Sequence, residues 1–194
     1  MMKKRIIERP SVTDLEAEIR RERYRHRYNA VLRSTLYTLI TVAAAAVLVA
    51  TLWLPVLRIY GSSMTPTLQN EDIVFSVKRS ELNTKDIVAF YYNNKILVKR
   101  VIASPGDWVN MDADGTVYVN GQELEEPYLV EKAYGETNIE LPYQVPDGRY
   151  FVMGDHRATS VDSRNTAVGC ISAEQIVGKI IFCVWPVDRI EVFN

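Results

Sequence analysis

Histidine and cysteine are scarce in this chain, with two of each among 194 residues. His26 precedes the longest apolar run and His156 follows it, so each side of that run has one imidazole. A serine–histidine–aspartate triad would have to rest on His156, an isolated histidine in a polar loop, where surface chemistry is the commoner use. A zinc site would need more ligands than His156 and scattered carboxylates supply. Cys170 and Cys183 are too few for a disulfide framework and lack metal-ligand spacing. Their apolar surroundings suit buried structural thiols; a single bridge between them is the other reading, and sequence does not give the separation it needs. No metal and no cofactor are expected. Charge is missing from one place: no Asp, Glu, Lys or Arg lies between Arg33 and Arg58. As a helix, residues 35–54 would extend roughly 30 Å, the thickness of a bilayer core.

The charges that are present divide unevenly. Residues 1–33 carry ten Lys/Arg against five Asp/Glu, and residues 34–194 carry thirteen against nineteen. A basic flank on the N-terminal side of an apolar helix favours a cytoplasmic N-terminus, with Trp53 near the outer interface. A cleaved secretory signal is the competing reading, because the alanines at 43–46 and 50 could mimic a cleavage site. The long polar leader and overlong apolar run argue against it. The expected organisation is a cytoplasmic basic segment, partly helical, over 1–33; a transmembrane anchor over 34–57; and an extracytoplasmic domain over 58–194, in a single-pass protein of the plasma membrane. Thr13-Asp14-Leu15-Glu16 reads as a capping box, and Glu16 to Arg20 is an i,i+4 pair, so residues 14–30 are expected to be a polar helix. Solvation and orientation are its plain role; contact with a cytoplasmic partner or anionic lipid is the sharper one.

Beyond the apolar run the pattern becomes mainly β. Short runs at 73–77, 86–92, 96–103, 108–111, 116–120, 150–153 and 178–185 are separated by turn chemistry. Asn93-Asn94 and Asp112-Ala113-Asp114-Gly115 mark hairpins. Residues 121–148 are less regular and contain three prolines, which suggests a small cap or irregular insertion. Ser172-Ala173-Glu174-Gln175 is expected to open a short helix, and Thr65-Pro66-Thr67-Leu68 to form a turn leading into another.

With histidine scarce, a serine hydroxyl needs another base, and Lys99 is the natural one. Alternation along a strand puts Lys99 in a row with Leu97 and Val101, opposite Val98, Arg100 and Ile102. Burial there disfavours the ammonium. A fall from about 10.4 to near 7.5 is roughly three units, or about 4 kcal/mol, within the range of buried lysines. Unshifted, only about one molecule in a thousand would hold a neutral amine at physiological pH. A lysine snorkelling from an edge strand is the bland alternative. Ser63 follows Leu54 by nine residues, at most about 30 Å of extended chain, so a site there would work close to the membrane surface. Backbone N–H groups on its turn can form an oxyanion hole. An aspartic dyad of Asp155 and Asp162 is disfavoured, because Arg157 and Arg164 would draw both carboxylates into ion pairs.

Three ordered motifs carry a family resemblance: Gly61-Ser62-Ser63-Met64-Thr65-Pro66-Thr67-Leu68; Val98-Lys99-Arg100-Val101-Ile102-Ala103-Ser104-Pro105-Gly106-Asp107; and Gly154-Asp155-His156-Arg157-Ala158-Thr159-Ser160-Val161-Asp162-Ser163-Arg164. With them the chain resembles bacterial type I signal peptidases, membrane-bound serine proteases that remove signal peptides from exported preproteins. The resemblance implies a mainly β, signal-peptidase-like sheet or barrel domain on an N-terminal transmembrane helix. It implies Ser63 as nucleophile, Lys99 as general base and Ser160 as a hydroxyl orienting the amine, with Asp162 and Arg164 bracing the site. Leu57, Ile59, Met64, Leu68 and Val98 would shape shallow apolar pockets for small residues at −1 and −3 of the substrate. Preprotein signal peptides and membrane lipid are the implied partners, with the secretion translocon nearby and no nucleic acid. Gly61 stands where some relatives place a serine oxyanion donor, and His156 where asparagine is common. The stretch from Asn120 to Arg149 is short beside the large insertion of some relatives, as in a compact, single-anchor form. Two rivals remain: a self-cleaving serine–lysine regulator, whose relatives carry a DNA-binding module, and a catalytically inactive, membrane-tethered binding module.

Overall fold

The structure, a computed structural model, describes residues 11–78 and 81–193. Its N-terminal unit is one long helix, α1, Val12–Trp53. The polar and apolar stretches are continuous in it, and Thr13 lies inside its first turn rather than at its cap, since the Leu15 N–H already bonds the Ser11 carbonyl at 3.1 Å. The helix is long and apolar enough to cross a membrane over part of its length. Residues 54–57, grouped with the anchor on hydropathy, are not helical. Pro55 lacks an amide proton and biases Leu54 away from helical angles, so the chain turns extended there.

Among its described residues the second unit has twelve strands: β1 Val56–Arg58, β2 Ile73–Val77, β3 Ile87–Tyr92, β4 Lys95–Ala103, β5 Trp108–Met111, β6 Val117–Val119, β7 Gln122–Glu123, β8 Tyr143–Gln144, β9 Arg149–Met153, β10 Ile171–Ser172, β11 Ile176–Trp185 and β12 Glu191–Val192. The larger sheet runs β1-β2-β11-β3-β4-β9-β10, with β12 also on β11; the smaller runs β7-β6-β5-β8. All pairings are antiparallel. Asn93 and Asn94 make the β3–β4 turn with φ of 43° and 62°, the left-handed pair that a tight two-residue hairpin requires. The Asp112–Gly115 turn is closed by Gly115 N–H to Asp112 O at 2.9 Å. Ser172 opens a 3-10 turn, Ala173–Gln175, its N–H donating to Gln175 Oε1 at 2.8 Å.

Two pairing limits matter for the site. Among the described residues β1 pairs only with β2, and β4 pairs with β9 only from Arg100 onward. One backbone edge of each is therefore unpaired, at β1 and over Lys95–Lys99. Beneath them, Ile59, Met64, Leu68, Val74, Ile87 and Ala89 form one apolar cluster, against which Leu57 and Val98 pack. The stretch over 121–148 contributes β7 and β8 and packs Leu124, Ile139, Leu141 and Tyr143 onto a second cluster around Phe151 and Val117. Cys170 and Cys183 are buried and free, which excludes the bridge.

Candidate functional site

Ser63 lies in the loop between β1 and β2, and Lys99 lies in β4. Their side chains meet: Lys99 Nζ donates to Ser63 Oγ at 2.6 Å. The loop is shaped locally. Gly61 holds φ at 97°, which its neighbours with side chains would adopt only under strain, and its N–H donates to Asn70 Oδ1 at 2.9 Å. Thr65 N–H and Oγ1 both donate to Ser62 O, at 3.1 and 2.8 Å. Leu68 N–H closes onto Met64 O at 2.9 Å, so the motif is a series of turns and not the start of a helix. Among the described residues no backbone hydrogen bond uses the Ser63 N–H.

Lys99 is only 3% exposed, opposite the fully buried Val88 of β3. Burial pushes its pKa down to about 8; the Asp162 and Asp155 carboxylates pull it up, and the Arg164 guanidinium pulls it down. β4 is buried from Lys99 to Ala103, so the alternation places polar groups in a closed interior and Lys99 does not snorkel.

Asp162 and Arg164 sit behind this pair and are fully buried. Arg164 Nε and Nη2 each donate to Asp162 at 2.8 Å; Nη1 donates to Tyr134 O at 2.8 Å and Nη2 to Arg157 O at 3.0 Å. Asp162 Oδ2 accepts the Gly154 N–H at 3.0 Å. Burial pushes the Asp162 carboxyl up, but the Arg164 hydrogen bonds and charge outweigh it and hold it below its ordinary value. Gly154 is required by space: a Cβ there would collide with Ser160 Oγ and the Ser63 carbonyl. Ser160 is buried, and among the described residues its Oγ has no partner within hydrogen-bond geometry, Lys99 included, although it lies close enough to Asp162 to help hold that carboxyl low. The resemblance put that hydroxyl on the amine; here the amine has turned to Ser63.

Arg100, the residue after Lys99, was not read from sequence as part of the site. It is 7% exposed and forms a bidentate pair with Asp155, Nε to Oδ1 at 2.9 Å and Nη2 to Oδ2 at 2.6 Å. Thr67 Oγ1 donates to the same carboxylate at 2.5 Å, and Arg100 Nη1 donates to Lys85 O at 2.8 Å. The Tyr128 ring lies 3.8 Å from the Arg100 guanidinium carbon. Asp155 therefore pairs with Arg100 and not with Arg157, correcting the sequence expectation. Arg157 turns instead to Glu126, with Nη1 to Oε2 at 3.0 Å, and donates through Nε to Gly154 O at 3.1 Å. The signal was present: Lys99 and Arg100 are consecutive on an apolar strand, so both of its faces carry a charge that needs a partner. What was missing was the partner, which lies 55 residues away.

A cleft of about 470 Å³ opens beside Ser63. Leu57, Ile59, Met64 and Val98 line it, together with Tyr60, Ile96 and Leu97, which sequence did not single out. Leu68 does not line it. The turn closed onto Met64 carries the Leu68 side chain inward, where it is fully buried in the cluster below. The cleft thus has an apolar floor, one wall from β1 and the following loop, and one from the unpaired start of β4. Its chemistry suits an extended peptide laid between two free strand edges, with a hydroxyl and a depressed-pKa amine at one end.

A model of the family "Signal peptidase, peptidase S26" matches residues 32–185. The chain is similar to signal peptidase I of Bacillus licheniformis, 36% identical over 87% of this chain and 96% of that one. It is similar also to signal peptidase I S of Bacillus subtilis, 38% identical over 69% and 78% of the two chains. For signal peptidase I of Streptococcus pneumoniae the figures are 33%, 70% and 84%. A crystal structure of a signal peptidase I from Enterococcus faecalis is 31% identical, with a TM-score of 0.45 over 52% of this chain and 97% of that chain. On the extent of the family match and of the alignments with the three Bacillus and Streptococcus relatives, the chain belongs to the peptidase S26 family of signal peptidases, serine proteases that remove signal peptides.

Proposed function

We propose that the chain cuts preproteins with a Ser63/Lys99 dyad, after small-x-small sites of the Ala-x-Ala kind, while held at the plasma membrane by its apolar helix. The contact of Lys99 Nζ with Ser63 Oγ at 2.6 Å carries this reading. Neutral Lys99 takes the Ser63 proton as Oγ attacks the scissile carbonyl, and the Ser63 N–H contributes to holding the oxyanion. Lys99 then passes the proton to the leaving amine and later takes one from the water that hydrolyses the ester. The buried Ser160 hydroxyl serves as a hydrogen-bond partner for the amine when it swings from Ser63 during turnover, and the buried Asp162–Arg164 pair keeps that wall fixed.

The substrate lies extended between β1 and the first residues of β4, donating and accepting backbone hydrogen bonds along both free edges. Leu57, Ile59, Met64 and Val98 give it shallow apolar seats, which reject polar side chains for want of a partner and large ones for want of depth. The apolar part of α1, residues 34–53, crosses the membrane, with 1–33 cytoplasmic and the chain from Leu54 onward outside. The signal peptide's hydrophobic segment stays in lipid, near the translocon that delivers it. The full chain in detergent is expected to cleave an Ala-x-Ala peptide, with Ser63→Ala and Lys99→Met each reducing kcat to background. Full activity in either variant would sink the dyad.

A further inference from the structure

A second cleft borders the same loop. Where the first takes Ser63 and Met64 into its lining, this one takes the next two residues, Thr65 and Pro66, and faces them with Val130, Glu131, His156 and Ala158. Its volume is about 260 Å³, suited to a short stretch of extended chain and too small for a folded element. It is tied to the reacting centre through backbone: the His156 N–H donates to the Ser63 carbonyl at 3.1 Å. A peptide whose scissile carbonyl sits on Ser63 and whose preceding residues fill the first cleft leaves along the other side of this loop; of the two clefts that border Pro66 there, this one also takes in Thr65, nearer to Ser63, whereas the other borders Thr67, farther along the loop.

The charges on its wall are unequal in consequence. Asp155 is neutralised by Arg100, and Arg157 by Glu126. Neighbouring Lys132 is drawn away to Glu123, at 3.1 Å. Glu131 is exposed, and among the described residues no cation pairs with it. The stretch it belongs to, residues 121–148, carries seven Asp/Glu and one Lys, so the surroundings reinforce its sign.

We infer that the cleft between the Thr65-Pro66 turn and Val130-Glu131 is the subsite for the first residues after the scissile bond, with Glu131 selecting cationic over anionic side chains there. This rests on the dyad reading, which fixes where the scissile bond lies. Exposed charge pairs are weak, so the expected preference is about two- to five-fold in kcat/KM and shrinks with added salt.

The test uses the full chain in detergent and a neutral Ala-x-Ala parent peptide, with Lys or Glu placed singly at +1, +2 or +3. The wild type is expected to favour Lys over Glu at one or more of these positions. The Lys/Glu ratio should fall to about one in Glu131→Gln and invert in Glu131→Lys. A wild type indifferent at all three positions, or a ratio unchanged in both variants, overturns the inference while leaving the dyad intact. Failure to cleave the parent peptide at all overturns the dyad reading, and this one with it.

Discussion

At the residue scale the proposed chemistry depends on one amine kept out of water. With its pKa near 8, about a tenth of Lys99 is neutral at pH 7, a large gain over an ordinary lysine. kcat/KM should therefore rise about tenfold per pH unit below pH 8 and level off above it. A limb centred well below 7 or above 9.5 would assign the base elsewhere. The same burial acts on stability with a definite sign. Between about 8 and 10.5 the unfolded chain holds the Lys99 proton and the folded chain has lost it, so stability rises with pH across that window. Below 8 both states are protonated and the full penalty of burying an ammonium remains, on the order of 3 kcal/mol before relaxation. Lys99→Met should consequently melt higher than wild type at pH 6, with the gap closing as pH climbs toward 10. A variant that melts lower at pH 6 would mean that the Lys99–Ser63 bond outweighs the desolvation. Burial of this residue was legible from the apolar row Leu97, Lys99 and Val101. That the Ser160 hydroxyl stands off the amine was not, because a hydroxyl's hydrogen bond depends on rotamers that no spacing encodes.

At the scale of elements, three segments distant in sequence are tied by one carboxylate. Asp155 of the third motif grips Arg100 of β4 and Thr67 of the loop that carries Ser63, so the strand bearing Lys99 and the loop bearing Ser63 are braced against each other. Asp155→Asn leaves Arg100 charged and buried without a counter-ion, which should cost about 3–5 kcal/mol of stability. The denaturant midpoint reads it, and the surviving folded protein should show reduced kcat, since Lys99 and Ser63 lose their common support. A stability change below about 1 kcal/mol would mean that water reaches Arg100. The longer strands were readable from apolar runs and turn residues: β2 and β5 match the sequence reading in both bounds, and β4 and β9 differ by a residue at one end. β1, β7, β8, β10 and β12 were not read, being two or three residues each, too short to show a period. They exist because a neighbouring strand offers an edge. β1 is the costly omission, as it forms a wall of the cleft.

At the scale of the whole molecule the question is which side of the membrane each end occupies, and the proposed topology rests on charge. The ten Lys/Arg before residue 34 resist translocation, while the seven carboxylates over 121–148 present no such barrier. The chain itself supplies a quiet background for testing this. Cys170 and Cys183 are 7% and 2% exposed, and burial pushes both thiols up, so neither offers much thiolate to a water-soluble maleimide. New cysteines can then report position at two well-exposed sites, Glu22 on α1 and Val130 at 83% exposure. In intact cells Val130→Cys should label with a membrane-impermeant maleimide and Glu22→Cys should not. After permeabilisation both should label. Wild type should stay dark in both conditions, because the thiols are shielded by packing, which permeabilisation leaves unchanged. Labelling of Glu22→Cys from outside, with Val130→Cys protected, would reverse the topology and place Ser63 and Lys99 on the wrong side for exported preproteins. Labelling of both in intact cells would instead mean that α1 does not cross the bilayer, leaving local concentration of substrate in the membrane without its physical basis.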